Sequence, residues 1–140
     1  MGIFDRFKSK STSVNQQNSA QAPQKIAMPW QPLIRPDQIK YLLNHSYDQR
    51  VLVFKHSTRC IISSMVLRAI ESSAEQLAEL GSWQYLDLIE YRECSNQVAK
   101  QFGVVHQSPQ LIVLKNGAVL WEASHQSISP ETILAALTSA

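Results

Sequence analysis

Cysteine is scarce in this chain. Two residues, Cys60 and Cys94, stand among 140, too few for a disulfide framework to substitute for a core. Glycine is equally sparse, at four residues, and none forms a glycine-rich phosphate loop. Charge of one sign is missing as well. The formal net charge is +2, which gives no case for steering toward nucleic acid or an acidic membrane surface. No apolar run approaches the ~20 residues of a transmembrane helix. The first eight residues, Met1 to Lys8, lack the long apolar core of a signal peptide. A cytoplasmic protein is therefore expected. Gly2 is not followed by Ser or Thr at position 6, where Arg6 stands, so a myristoylation signal is incomplete.

What remains suits one globular domain with a polar tail: 44% hydrophobic and 17% charged residues. Residues 1–28 are rich in Ser, Gln, Asn and Ala over most of their length. They cannot bury enough surface to offset chain entropy, so a disordered tail is expected there, with the folded domain over residues 29–140. Ile3, Phe4 and Phe7 could form a weak docking element; a frayed terminus is the simpler expectation.

The stretch from Val51 to Met65 organises the rest. Residues 51–54 are a short apolar run of β-branched Val51 and Val53 with Leu52 and Phe54, and read as a buried strand. Lys55 to Arg59 is a polar turn. After Cys60 apolar residues recur at helical spacing (Ile62, Val66, Ile70), so a helix begins there and should run to about Leu80, ending at Gly81. Met65 and Leu67 are expected to pack in or near the core. A cysteine between strand and helix faces unpaired backbone N–H groups and the positive end of the helix dipole, which favour the nucleophilic thiolate. Arg59 and His56 could add to this. An inert core cysteine is the alternative. Three residues on is Ser63, where a Cys-X-X-Cys redox site has its second thiol. A hydroxyl there cannot resolve a mixed disulfide.

The other elements follow from local signals. Pro36 and Asp37 open a helix with Ile39, Leu42 and Leu43 on its apolar face, ending near His45. Residues 83–90 read as a second strand and 95–102 as a short helix closed by Gly103. Two apolar runs, 111–114 and 118–121, flank Asn116-Gly117, the residues a tight hairpin turn needs. Ser129-Pro130-Glu131 opens a last helix. From Val51 the order is β-α-β-α-β-β-α. The first two strands should be parallel and the last two antiparallel.

That order, with a cysteine after the first strand and Ser108-Pro109 before the hairpin, resembles the thioredoxin fold, an α/β architecture with a central mixed sheet flanked by helices. In that fold such a proline is cis and lies beside the reactive cysteine, and the backbone of the residue before it, here Ser108, pairs with bound thiol or peptide. A trans proline that merely starts an edge strand is the alternative. A closer resemblance, over about residues 30–137, is to the bacillithiol-system redox proteins of the YtxJ family, the monothiol bacilliredoxins. It rests on Phe54-Lys55-His56-Ser57-Thr58-Arg59-Cys60-Ile61-Ile62-Ser63-Ser64-Met65, on Phe102-Gly103-Val104 followed by Ser108-Pro109-Gln110, and on Lys115-Asn116-Gly117 with Ala123-Ser124-His125. Many members carry proline directly after the cysteine, where this chain has Ile61.

The resemblance implies a monothiol exchange protein. Cys60 would be the attacking residue and Ser63 the family's serine, with no bound cofactor. The co-substrate would be a low-molecular-weight thiol, bacillithiol or an analogue, and the partners thiolated client proteins. Lys55 is either a support for an anionic thiol ligand or a solvated surface lysine. His106 could line the site, and His125 should end the last strand. His56, His106 and His125 match no structural zinc spacing, so no metal is expected. Cys94 is expected to be an incidental or partly buried thiol, distant from Cys60, rather than a resolving one. A monomer is expected. A non-catalytic thioredoxin-like module for partner binding or redox sensing is the competing class.

Overall fold

The computed structural model describes residues 26–138. Most of the expected tail lies outside this range, but Met28 does not. Only 8% exposed, it packs into the core. Core packing therefore includes a residue before Trp30.

Strand β2 (Val51–His56) is the centre of a five-stranded mixed sheet of order β1-β3-β2-β4-β5. All six of its residues are buried. That is why it reads as a continuous apolar run rather than an alternating one. Strand β3 (Ser82–Asp87) pairs with it in parallel, and β4 (Gln110–Lys115) in antiparallel. Strand β5 (Ala118–Ser124) closes the hairpin with β4. Asn116 and Gly117 both adopt positive φ, 54° and 79°, which the two-residue turn requires. The outer strand β1 (Gln31–Pro32), parallel to β3, carries no sequence signal of its own. It is two residues long and holds a proline, tolerated because it lies at the sheet edge.

Alternation along the strands divides the core in two. Leu52 and Phe54 face helix α2 (Ile61–Ser72), the short helix α3 (Ala74–Leu77) and the final helix α5 (Pro130–Thr138). Val51 and Val53 face α1 (Asp37–His45) and α4 (Arg92–Phe102). Ser129 caps α5 as its sequence implied: its Oγ accepts the Thr132 N–H at 3.1 Å, and Thr132 Oγ1 accepts the Ser129 N–H at 3.1 Å.

Four local expectations need correction. The helix after Cys60 is not continuous to Leu80. It breaks at Ser73 (φ −108°, ψ 26°), then resumes as α3 and a 3-10 turn, Ala78–Leu80. Gly81 is not a left-handed cap, since its φ of 164° is extended. A Cβ there would meet the Arg50 carbonyl oxygen and lie 2.8 Å from Leu52 Cδ1, so close packing is what excludes a side chain. Strand β3 stops at Asp87 instead of Glu90, because Asp87 Oδ1 accepts the N–H groups of Ile89 and Glu90 and turns the chain. Helix α4 begins at Arg92, a turn earlier than residue 95.

Candidate active site

Strand β2 ends at His56, and the chain turns through Ser57 to Arg59 before α2 starts. The Cys60 N–H bonds the Ser57 carbonyl at 3.2 Å, and the Cys60 carbonyl accepts the first helical N–H, from Ser64, at 3.1 Å. Cys60 is thus the residue directly before the helix, with extended backbone (φ −113°, ψ 123°) and a half-buried side chain. Arg59 is exposed.

Ser63 is fully buried and committed elsewhere. Its Oγ accepts the Ser57 N–H at 3.0 Å and lies 2.7 Å from His56 Nδ1. The structure therefore brings His56, Ser57 and Ser63 together into one knot that closes the turn beneath Cys60. His56 stacks on Phe54 and tilts against Tyr85. Burial pulls the His56 pKa down, against the pull of the nearby Asp87 and Glu71 carboxylates, so the neutral ring is favoured. Burial first, then the same two carboxylates, pushes the Tyr85 phenol up.

The Ser108–Pro109 peptide is cis. Its loop meets the Cys60 turn because Lys55 pairs with Gln110 at the end of the β2–β4 ladder, and continuing that register sets Pro109 and Ser108 opposite His56 and Ser57. Three anchors hold the loop. The Pro109 carbonyl accepts the His125 N–H at 3.0 Å. Gln110, fully buried, donates from Nε2 to the Val105 carbonyl (3.0 Å) and to Glu122 Oε1 (2.7 Å), and its Oε1 accepts the Gln107 N–H (3.3 Å). Lys55 Nζ lies 2.7 Å from His106 Nδ1. Among the described residues the buried Ser108 Oγ has no hydrogen-bond partner.

Lys55 is not a solvated surface lysine. It is 0% exposed, and burial, with help from Arg92 and against Glu122, lowers its pKa to about 8. Gln110 and Glu122 had no recognised role in the sequence. A glutamine directly after the loop proline, at the head of an apolar run, was the available signal. Met65 is also misplaced by periodicity: it is 55% exposed, beside Ile61 at 76%, while Leu67 is half-buried. The face of α2 carrying Ile61 and Met65 therefore turns to solvent near Cys60.

Cys94 lies on the other side of the sheet, 1% exposed among Leu33, Ile39, Val98 and Phe102. Burial, with Asp37 and Glu93, pushes its thiol up to about 11. Both cysteines are free. Among the described residues no group of three or more His, Cys, Asp or Glu could hold a metal ion, and no helix is long and apolar enough to cross a membrane.

Residues 31–133 match the family described as "Monothiol bacilliredoxin BrxC". The chain belongs to the monothiol bacilliredoxins. That family placement, together with the fold, carries a thiol–disulfide redox function. Solved structures agree on the fold. A thioredoxin-fold protein assigned as an oxidoreductase is 26% identical over 76% of this bacilliredoxin and 92% of its own chain, with a TM-score of 0.67. The thioredoxin of Malassezia sympodialis is 18% identical over 86% and 96%, at 0.65. Spinach chloroplast thioredoxin f is 17% identical over 84% and 97%, at 0.61. The last two speak to the thioredoxin fold alone.

Proposed function

We propose that this bacilliredoxin removes a low-molecular-weight thiol from client proteins that carry it as a mixed disulfide, with Cys60 as the attacking residue. One observation carries the reading: the half-buried Cys60 opens α2 while Ser63, in the position of a resolving thiol, is buried and tied to His56 and Ser57. A thiol adduct at Cys60 has no resolving partner within the motif, and Cys94 is buried on the opposite face.

The Cys60 thiolate attacks the small thiol's sulfur in the client disulfide. A new Cys60–sulfur bond forms, the client sulfur leaves as a thiolate, and its disulfide bond breaks. A second small thiolate then attacks the adduct, restoring the Cys60 thiolate and releasing a small-molecule disulfide. No net oxidant is needed. Arg59 adds positive charge beside the thiolate. Exposed Ile61, Met65 and Val105 offer the apolar surroundings that the client polypeptide covers, and the Ser108 backbone is placed to pair with it. The family's description supports bacillithiol as the small thiol, which in turn implies a cytoplasmic setting.

Intact-mass analysis of the protein mixed with a thiolated model client tests this. The client should lose the adduct, Cys60 should gain it, and Cys60→Ser should do neither. Retained activity in Cys60→Ser overturns the assignment. An adduct on Cys60 that never turns over with added thiol favours the non-catalytic sensing module instead.

A further inference from the structure

Gln84 is a glutamine at a core position. Side chains alternate along β3, so Gln84 shares with Leu86 the face of the sheet that packs on α1 and α4. Leu86 is fully buried there, and Gln84 is only 5% exposed. Its Nε2 donates to Ser82 Oγ at 2.9 Å. No described residue donates to its Oε1. That oxygen opens into a cavity of about 300 Å³ between α1 and the β1–β3 edge of the sheet. A buried amide is costly unless its polar atoms are satisfied, so a half-satisfied glutamine on a core face points to something it meets in the cavity.

The walls repeat that chemistry. Gln31, level with Gln84 across the β1–β3 pairing, adds an amide with no hydrogen-bond partner among the described residues. Gln49 Nε2 lies 2.9 Å from His45 Nε2, so the amide nitrogen faces the ring and Oε1 is left over. Tyr41 lies flat on His45, with ring centroids 5.7 Å apart and planes 11° apart, and forms an aromatic wall. No Asp, Glu, Lys or Arg lines the cavity. An ion entering it would lose hydration and gain no opposite charge, which selects an uncharged ligand. The unused groups are mostly carbonyl oxygens, which selects a ligand rich in donors. They come from β1, from β3 and from the segment after α1. Hydroxyls radiating from a ring suit that spread better than the single donor edge of a planar base.

We propose that this cavity is a second binding site, for an uncharged, hydroxyl-rich small molecule of about monosaccharide size. Gln84 and Gln49 accept from its hydroxyls, Gln31 both donates and accepts, and Tyr41 packs against its C–H face. The volume is at the lower end for small-ligand sites, which keeps the ligand small. The site is independent of the exchange reading: Cys60 opens α2, which packs on the opposite face of the sheet.

Proton–nitrogen spectra of the full chain test it, titrated at millimolar concentrations with glucose, galactose, mannose and, separately, adenine. At least one sugar should shift the side-chain amide signals of Gln31, Gln49 and Gln84 to saturation. The amide of Gln110, buried and bonded to Glu122 elsewhere in the fold, should stay in place. Gln84→Leu, which keeps the bulk and removes the oxygen, should weaken that Kd about tenfold. Tyr41→Ala, at a position 65% exposed where the fold is not at stake, should weaken it about threefold. The uronate of the same sugar should bind about fivefold more weakly or worse, since it brings a charge. Cys60→Ser should bind as the wild type does. No shift with any sugar overturns the site, and shifts with adenine alone overturn the hydroxyl-rich class. A uronate that binds equally well overturns the selection for an uncharged ligand. Lost binding in Cys60→Ser overturns the independence of the two sites. Unchanged affinity in both Gln84→Leu and Tyr41→Ala places the sugar elsewhere and overturns the assignment.

Discussion

His56 Nδ1 lies 2.7 Å from Ser63 Oγ, and the same oxygen accepts the buried Ser57 N–H. The hydroxyl in the position of a resolving thiol is thus a structural tie across the turn. Ser63→Ala should leave the Ser57 N–H and His56 Nδ1 buried and unpaired. A loss of about 1–3 kcal/mol is expected, read as a lower denaturant midpoint with an unchanged slope. No loss would mean that water replaces the hydroxyl.

Ser63→Cys should turn the monothiol site into a dithiol one. Residues 60 and 63 span the helix start at the spacing where Cys-X-X-Cys sites close. After mild oxidation the monomer should lose two free thiols and retain Cys94. Retention of all three would show that residue 63 stays bound to the His56 side and cannot swing to Cys60.

At neutral pH, iodoacetamide should modify Cys60 well before Cys94. Cys60 is half-buried, whereas Cys94 is 1% exposed and its thiol is pushed up to about 11. Peptide mapping over time follows both sites. Urea just below the unfolding midpoint should narrow the gap, because local opening then exposes Cys94. Faster labelling of Cys94 would refute the layout of the two thiols.

Acid should destabilise the domain through His56. Its folded pKa lies below the usual 6.5, so the unfolded chain binds more protons between the two values. Stability is present above 6.5 and is lost as pH falls toward the folded value. His56→Asn, which can keep a polar atom near the Nδ1 position, should flatten this slope in urea titrations at pH 7.5 and 5.5. A remainder is expected from His106, which is shifted in the same direction. Equal slopes in wild type and variant would refute the assignment.

Gly81→Ala should cost about 1–3 kcal/mol. The new methyl meets the Arg50 carbonyl and Leu52 Cδ1, and the carbonyl already accepts the Ser82 N–H at 2.9 Å, so neither side moves freely. Thermal unfolding checks it. A neutral outcome would show that the β2 and β3 entry points can separate.

The elements that spoke clearly in the sequence are those fixed by local rules. The run 51–54, the helix start after Cys60, Asn116-Gly117 and Ser129-Pro130 each have a backbone reason visible in a few residues. What was hidden depends on distant partners. Strand β1 exists only because β3 offers an edge to Gln31 and Pro32. Lys55 looks like a surface cation until β4 supplies Gln110 beside it and the loop supplies His106. Periodicity placed Met65 inward because it cannot tell a core face from an apolar face left open beside a site. His56 and Ser63 were each picked out for nearness to Cys60, but the bond between them needs the turn's three-dimensional course.

The hairpin tip has a consequence for anyone labelling this protein. Asn116 N–H bonds the Ser46 carbonyl at 2.8 Å, Gly117 N–H bonds the buried Ser46 Oγ at 2.8 Å, and a Cβ on Gly117 would strike the Tyr47 ring. The turn lies at the end of the sheet away from Cys60, which makes it a tempting graft point for a fluorophore or affinity tag. It is nevertheless a clasp between the hairpin and the end of α1, and inserted residues there would unfasten the two.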